Sequence, residues 1–282
     1  MAQPFPIPPD LQAPWRRLLA ILKELAPLVV AFSGGTDSSL LLAAASQALG
    51  PGVRAALCLG PFTPPWEAVR ARQVAGQLGA ELIELDAGEL ADQAIVANGP
   101  ERCYHCKRLR LTLLTRLARE WGLKSVVEGS QLDDALDYRP GSRAVKELGV
   151  HSPLAQAGLD KAQIRRLSQA LGLVTASVPS GACLATRVPT GTRLSAPALE
   201  RIGRAEEAVR GLLPGQVRVR DHFPLARLEL EPQVLAQAAV DPLRGRLLAC
   251  LQTLGYGGVC LDLAGYRPSG QQRTASTEHT QP

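Results

Sequence analysis

The sequence contains few aromatic residues and no long run of uncharged apolar residues. Phe, Trp and Tyr together make up 4% of its 282 residues. A membrane-spanning helix needs about 18 or more consecutive apolar residues, so no span is predicted. The first six residues, MAQPFP, lack the basic and apolar regions of a secretory signal. We therefore expect a cytoplasmic protein that does not enter a membrane.

The sequence also lacks the runs of basic and aromatic residues that are typical of RNA-binding surfaces. The net charge of +5 and the pI near 9.0 suit an anionic nucleotide as well as RNA. Because no separate RNA-binding module is recognisable, we expect a small nucleotide as the ligand and no nucleic-acid partner. A hydrophobic content of 46% and a charged content of 20% are typical of a folded globular enzyme.

The six cysteines fall into two groups. Without a secretory signal they indicate a reducing compartment rather than a disulfide framework. Cys58, Cys250 and Cys260 lie in apolar surroundings and are predicted to be packing residues. Cys103, Cys106 and Cys183 lie among polar or small residues and are the candidates for chemistry.

Residues 1–187 show alternating strand and helix patterns. This alternation predicts a doubly wound α/β domain with a parallel sheet, in which ligands bind at the carboxyl ends of the strands. Strands are predicted at 28–32, 53–59, 81–85 and 125–129, and helices at 38–49, 65–78, 104–121 and 160–171.

The pattern changes after Arg187. A helix, two strands, a helix and a last strand predict a smaller α+β domain over 188–267. The polar tail 268–282 is predicted to be disordered. The helices are expected at 195–213 and 241–254, and the strands at 216–221, 225–230 and 258–263.

A Gly-rich turn, S-G-G-T-D-S-S, joins the first predicted strand to an Ala/Leu-rich helix. Backbone N–H groups of such a turn and of the following helix converge on one point, where the helix dipole favours an anion. Asp37 would repel a phosphate unless Mg²⁺ lay between them, so it is predicted to be a magnesium ligand. The predicted ATP- and pyrophosphate-binding residues of the turn are Ser33, Gly34, Gly35, Asp37, Ser38 and Ser39.

No lysine follows this turn, so it is not the phosphate loop of the G-x-x-x-x-G-K-[ST] type. It resembles the PP-loop of the N-type ATP pyrophosphatases, whose pattern is S-G-G-x-D-S. That resemblance implies an enzyme that splits ATP into AMP and pyrophosphate in order to adenylate an oxygen atom. The alternative is an ordinary Gly-Gly turn with serine caps.

Cys103 and Cys106 lie in the segment R-C-Y-H-C-K, just after Pro100. A helix start here would put the two thiols about one turn apart on the same side. The helix dipole and the neighbouring basic residues would favour thiolates. One C-x-x-C pair is compatible with half a zinc site, a redox pair, two cluster ligands or chance.

Cys183 lies in the segment A-C-L-A-T-R, among small residues in a predicted loop. Small neighbours leave a thiol accessible, and a cation such as Arg187 lowers the pKa of a nearby thiol. Cys183 and Arg187 are therefore candidate catalytic residues, although a buried structural cysteine is the simpler interpretation of this segment alone.

The three segments occur together with further motifs, in the order PP-loop, R-C-Y-x-C-K (102–107), Glu128-Gly129, D-D-A-L-D-Y-R-P-G (133–141), E-L-G-V-H-S-P-L (147–154) and A-C-L-A-T-R (182–187). This order closely resembles the LarE family, ATP-dependent sulfur transferases that help to build the nickel-pincer nucleotide cofactor. The resemblance runs from about Ala26 to about Leu263.

The resemblance implies a specific reaction. ATP would adenylate a carboxylate of pyridinium-3,5-biscarboxylic acid mononucleotide, and Cys183 would attack the adenylate. Cleavage of the C–S bond of that cysteine would leave a thiocarboxylate on the product and dehydroalanine on the enzyme. The resemblance also places Gly129 at the ATP site, and it implies a homo-oligomer that works with the other enzymes of cofactor assembly.

Cys103 and Cys106 depart from the single-cysteine version of the family. With Cys183 they match a branch in which three cysteines hold a [4Fe–4S] cluster and leave one iron free for an external sulfide. That iron could deliver the sulfide and spare Cys183. A zinc site, or a sacrificial Cys183 without a cluster, are the alternatives. The segment 174–179 lacks the Trp and Lys associated with the family, and residues 128–131 lack its G-T-N.

Arg218, Arg220 and Arg227 alternate with apolar residues on the two strands predicted after Arg187. Because guanidinium groups bind phosphate bidentately, these three are predicted to hold the phosphate of the nucleotide substrate. The alternative is a solvated face of the strands. Two other functions remain open, a PP-loop enzyme that thiolates tRNA and a cluster-bearing nucleotide sensor without turnover.

Overall fold

The computed structural model describes residues 6–50, 53–135, 140–179 and 181–267. Residues 136–139 of the motif D-D-A-L-D-Y-R-P-G, and the tail 268–282 that is predicted to be disordered, therefore lie outside the described residues. The chain divides into two compact units, Met1–Gly181 and Ala182–Pro282. The division lies at Gly181, and the sequence-based boundary lies at Arg187.

The first unit is built on a four-stranded parallel sheet in the order β3-β2-β1-β4. Strands β2 and β3 lie on one side of β1 and β4 lies on the other side, so the strand order reverses at β1. In sheets of this kind the ligand binds at that reversal, outside the carboxyl ends of the strands. The predicted doubly wound α/β fold is confirmed. The strands are β1 (Leu28–Phe32), β2 (Arg54–Leu59), β3 (Glu81–Asp86) and β4 (Ser125–Glu128).

The helices of the first unit include the long ones that the sequence predicts and shorter ones that it does not. They are α1 (Gln12–Leu25), α2 (Thr36–Leu49), α3 (Pro65–Leu78), α4 (Gln93–Val96), α5 (Arg102–Glu120), α6 (Gly141–Glu147), α7 (Pro153–Gln156) and α8 (Lys161–Ala170). Helix α8 begins with a capping box, in which Asp160 and Gln163 each accept from the other's backbone N–H. The shorter helices contain too few residues to show a 3.6-residue period.

Alternating residues of β1 enter two different apolar layers. Leu28, Val30 and Phe32 pack with α2, whose apolar residues are buried almost all round. Val29 packs on the opposite face, with Leu111 and Leu114 of α5. Helices therefore cover both faces of the sheet, and the turn after β1 is held by a rigid strand before it and a buried helix after it.

The second unit contains a three-stranded sheet in the order β5-β6-β7, with β5 antiparallel and β7 parallel to β6. Its apolar core lies between this sheet and the helices, around residues such as Leu228, Leu247 and Tyr256. Sequence analysis predicts the α+β class correctly and misses α10. The elements are α9 (Ala196–Arg210), β5 (Val217–His222), β6 (Leu225–Leu230), α10 (Pro232–Ala238), α11 (Leu243–Gln252) and β7 (Gly258–Leu261).

Within the four described ranges, no helix combines the length and the apolar character needed to cross a membrane.

Candidate functional site

The turn between β1 and α2 is bent tightly and held by its own serines. Gly34 has φ +69°, and a Cβ there would lie 2.8 Å from the Cβ of Ala71 on α3, so only glycine fits without a shift. The hydroxyls of Ser33 and Ser38 lie 3.0 Å apart, and the Ser38 hydroxyl also lies 3.2 Å from the Gly35 carbonyl oxygen. The turn leads directly into the N-terminus of a 14-residue helix, which is the geometry of an anion site.

Gly129 lies against this turn from the next strand. A Cβ on Gly129 would lie 3.0 Å from the backbone nitrogen of Ser38. The end of β4 and the turn after β1 therefore meet at the point where the strand order reverses. Ser39 differs from its neighbours, because it is fully buried and its hydroxyl has no hydrogen-bond partner among the described residues.

Asp37 forms an ion pair that the sequence analysis missed. Lys161 Nζ, at the start of α8, lies 2.6 Å from Asp37 Oδ1. The backbone N–H of Lys161 donates to Asp133 Oδ2 at 3.1 Å. A lysine in the first turn of a helix opposes the helix dipole, so its position there is the one sequence signal that could have drawn attention to it.

Two further contacts fasten the turn to the rest of the first unit. The Thr36 hydroxyl lies 2.9 Å from the Thr175 carbonyl oxygen and 3.3 Å from that of Val178. Arg70 Nε, on α3, donates to the Gly34 carbonyl oxygen at 2.9 Å. These partners are more than 30 residues away in sequence, and no local pattern indicates them.

Cys103 and Cys106 lie at the start of α5, about one turn apart, as the sequence predicts. Cys103 is exposed and Cys106 is half-buried. Arg102 lies with Nη2 3.5 Å from Cys103 Sγ. The intervening Tyr104 is buried, donates to Glu147 Oε2 at 2.7 Å and carries the Arg143 guanidinium 3.6 Å from its ring centre. This anchor on α6 fixes the rotation of α5, in which Cys103 is exposed and Cys106 is half-buried.

Two buried carboxylates face α5 next to the cysteines. Glu89 is fully buried and accepts from Arg110 at 2.7 Å. Glu128 accepts from Lys107 at 2.8 Å, and also from Ser130 and Ser152. Burial alone would raise the pKa of Glu128, but the Lys107 ammonium and these hydrogen bonds outweigh it and lower the pKa below its ordinary value.

In the second unit, Cys183 is exposed and precedes a short 3₁₀ turn, Leu184–Arg187. Arg187 is 4% exposed and forms two hydrogen bonds with the fully buried Glu206, at 2.7 and 2.9 Å. Its Nη1 donates to the carbonyl oxygen of Ala182 at 2.8 Å. Arg187 therefore holds the backbone of the segment that carries Cys183.

The structure brings Arg218 and Arg220 close to Arg187 within the second unit. Arg220 is paired with Glu229 through two hydrogen bonds, at 2.8 and 3.0 Å, and donates to the Thr186 carbonyl oxygen. Burial lowers the pKa of Arg218, and the positive charges of Arg187 and Arg220 lower it further.

Arg218 and Arg227 have different surroundings. Arg218 is 4% exposed, lies 4.5 Å from the ring centre of Tyr266 and donates to the Arg267 carbonyl oxygen at 3.1 Å. Arg227 is more open and shares Glu229 with Arg220. Sequence analysis missed Glu206 and Glu229, because ordinary glutamates on a helix and a strand show no sign of pairing with arginines. It also missed Tyr266.

Within the described ranges, no group of three or more His, Cys, Asp or Glu side chains is arranged to hold a metal ion. Cys103 and Cys106 belong to the first unit and Cys183 to the second. Of the cysteines predicted to be packing residues, Cys58 is buried, and burial raises the pKa of its thiol. Cys250 and Cys260 are half-buried.

Comparisons with known proteins cover almost the whole chain. No protein-family model matches it. It is 37% identical over 257 residues to an uncharacterized protein of Synechocystis sp., covering 91% of this chain and 96% of that protein. It is 29% identical over 243 residues to an uncharacterized protein of Methanocaldococcus jannaschii, covering 85% of this chain and 90% of that protein.

The name of a third relative states an activity. The chain is 34% identical over 262 residues to the pyridinium-3,5-bisthiocarboxylic acid mononucleotide synthase of Lactiplantibacillus plantarum. The match covers 93% of this chain and 94% of that protein, so it includes both compact units.

Proposed function

Since the chain belongs to the family of the pyridinium-3,5-bisthiocarboxylic acid mononucleotide synthase, the LarE family, we propose that it is an ATP-dependent sulfur transferase acting on pyridinium-3,5-biscarboxylic acid mononucleotide. The proposal rests on the 34% identity to that synthase, which extends over 93% of this chain. The turn Ser33–Ser39, bent onto a helix N-terminus, supports the part that concerns ATP.

The first step is adenylation. A carboxylate oxygen of the substrate attacks the α-phosphorus of ATP, and the bond from that phosphorus to the bridging oxygen of pyrophosphate breaks. Pyrophosphate leaves with the electron pair, and its charge is met by backbone N–H groups of the turn and by the hydroxyls of Ser33 and Ser38. Gly129 allows the end of β4 to approach the same turn closely.

Asp37 is the residue that would hold Mg²⁺. Oxygen donors are the ligands that Mg²⁺ prefers, and Asp37 Oδ2 has no hydrogen-bond donor among the described residues. When bound, the ion would offset the charge of the phosphates. Lys161, on Asp37 Oδ1, adds a second positive charge at the same place.

The second step forms the carbon–sulfur bond. The Cys183 thiolate attacks the carbonyl carbon of the adenylate, and AMP leaves with the electron pair of the C–O bond. Loss of a proton from Cα of Cys183 and cleavage of its Cβ–S bond then give dehydroalanine and the thiocarboxylate. Arg187 supports this step by holding the carbonyl oxygen of Ala182, so that the segment keeps the thiol exposed.

Cys103, Cys106 and Cys183 are the residues that would hold a [4Fe–4S] cluster. Thiols are the correct donors for iron–sulfur clusters, and Cys103 and Cys106 share one turn of α5 beside Arg102. A cluster with one iron lacking a protein ligand would supply an inorganic sulfide as the sulfur source, and Cys183 would not be consumed. Two thiols on one helical turn also suit zinc, which is the alternative metal.

Arg218, Arg220 and Arg227 are assigned to the phosphate of the mononucleotide. Glu206 pairs with Arg187 and Glu229 pairs with Arg220, and both of these arginines lie close enough to Arg218 to lower its pKa. Guanidinium groups gathered in this way suit the oxygens of a phosphate, which accept hydrogen bonds from arginine in pairs. The mononucleotide would come from, and pass to, other enzymes of nickel-pincer cofactor assembly, and we propose a homo-oligomer in the cytoplasm.

The proposal is tested by incubating the anaerobically purified protein with MgATP and the biscarboxylic mononucleotide. Pyrophosphate is measured, and mass spectrometry follows the exchange of oxygen for sulfur in the substrate. We expect pyrophosphate release that depends on the mononucleotide. An Asp37→Ala variant should release none, and Asp10→Ala, which removes an exposed ion pair, serves as its control. Release of pyrophosphate without the mononucleotide, or none at all, contradicts the proposal.

Iron and acid-labile sulfide per chain decide the sulfur source. About four of each, lost in a Cys106→Ala variant that still adenylates, would support the cluster. Neither element after anaerobic reconstitution would leave Cys183 as the consumed donor, and zinc would be the next metal to assay.

A further inference from the structure

The turn Ser33–Ser39 has a shortage of positive charge for a triphosphate. It contains no basic residue, and its one charged side chain, Asp37, is acidic. Lys161 neutralises Asp37 at 2.6 Å, which leaves the two together without net charge. The helix N-terminus contributes the equivalent of only about half a positive charge. Beside the Mg²⁺ proposed at Asp37, a side-chain cation would therefore strengthen the binding of a polyphosphate to the turn.

Arg70 lies in the right place to supply it. Its Nε donates to the carbonyl oxygen of Gly34 at 2.9 Å, and the next residue, Ala71, packs against Gly34. The Gly34 carbonyl and the Gly35 N–H belong to one peptide unit, so donation to that oxygen also polarises the N–H as a donor. The guanidinium is therefore fixed to the residue at which the turn bends.

The terminal nitrogens of Arg70 can donate further hydrogen bonds. Among the described residues their nearest acidic group is Glu67, whose Oε1 lies 3.8 Å from Nη2, beyond hydrogen-bond distance. Arg72, on the same helix, provides the contrast. Its Nε and Nη2 both donate to Glu84, at 2.6 and 2.9 Å, and its charge is satisfied by the protein.

We propose that Arg70 is a phosphate-binding cation of this site, contributed by α3 and lying outside the S-G-G-T-D-S-S motif. This inference rests on the proposed function only in taking the turn as an ATP site. It concerns polyphosphate binding and holds whatever the acceptor of the adenylate is.

The test is an affinity series with the full chain. Isothermal titration calorimetry in the presence of MgCl₂ measures binding of adenosine, AMP, ATP and pyrophosphate to the wild type and to Arg70→Met, Arg70→Lys and Arg72→Met. Loss of one charge-assisted contact weakens binding by about ten- to hundredfold. We expect Arg70→Met to lose that much for ATP and pyrophosphate and less than about twofold for adenosine, with Arg70→Lys in between. The Arg72→Met control should match the wild type.

Two results would overturn the inference. One is an Arg70→Met variant that binds ATP as well as the wild type does. The other is an equal loss for adenosine and ATP, which indicates that Arg70 only shapes the turn. Failure of the proposed function looks different, because the wild type would then bind ATP, and depend on Arg70, without releasing pyrophosphate in the presence of the mononucleotide. A wild type that binds neither ATP nor pyrophosphate contradicts both.

Discussion

The anion sites that we propose in the two units are of opposite construction. The turn in the first unit would use backbone N–H groups and small side chains, and its proposed cations, Lys161 and Arg70, come from helices distant in sequence. The site in the second unit uses buried arginines, of which Arg187 and Arg220 are each matched by a buried glutamate. The first kind of site depends on backbone shape and the second on charge balance in a low dielectric. They should therefore fail in different ways when single residues are changed.

The largest expected effect separates the chemistry assigned to the two units. Cys183→Ala should still release pyrophosphate, because the turn is untouched, but it should form no thiocarboxylate, because no thiolate attacks the adenylate. Pyrophosphate assay and mass spectrometry of the same reaction measure both steps. Cys250→Ala, which removes a half-buried thiol, is the control. Sulfur transfer that survives in Cys183→Ala would remove this cysteine from the mechanism.

The next effect concerns the charge balance of the second unit. Glu206→Gln leaves the Arg187 guanidinium buried without its carboxylate, and breaking such a pair costs about 3–5 kcal/mol. Urea unfolding of the variant and the wild type measures the difference in the free energy of unfolding. The double variant Arg187→Leu/Glu206→Leu should recover much of the loss. If Glu206→Gln is as stable as the wild type, the Glu206 carboxylate is not needed to offset the cost of burying the Arg187 guanidinium.

A smaller effect is expected at the turn. Lys161→Met removes the ammonium from Asp37, and we expect the rate of pyrophosphate release to fall by about ten- to hundredfold, the usual value of one charge-assisted contact. The free energy of unfolding should change little, since Lys161 is the first residue of α8 and its side chain is partly exposed. Steady-state kinetics beside a urea titration separates the two quantities. A loss of stability with an unchanged rate would assign Lys161 a purely structural role.

The smallest effect is a pH dependence at the end of β4. The pKa of Glu128 is lower in the folded protein than in the unfolded chain, so its carboxylate adds stability above the unfolded value of about 4.3. That contribution is lost as the pH falls through this value toward the lower folded pKa. Compared with Glu128→Gln, the wild type should therefore lose its advantage in unfolding free energy as the pH is lowered from about 5 through about 4.3 and below. A constant difference across this range would contradict the assignment.

The two sites also differ in how far the sequence predicts them. The strand, the turn and the helix after it can be predicted from the sequence because the glycines, serines and flanking periodicity are local. The contacts of Arg70 and Lys161 with the turn cannot, because these residues lie in other elements and meet the turn only in the folded chain. Alternation on the predicted strands indicates the arginines of the second unit but not Glu206, since a glutamate on a helix looks like a surface residue until the helix is packed.

The close approach of α3 to the turn limits which substitutions the protein tolerates. Ala71 is fully buried, and its Cβ is the atom that an added methyl group on Gly34 would strike. A larger side chain at position 71 would displace Gly34 and the turn around it. Overpacking of this kind typically costs about 1–3 kcal/mol. In a survey of all single substitutions, Ala71 should therefore accept little besides glycine. It should resemble a motif residue in that survey although it lies outside the S-G-G-T-D-S-S motif.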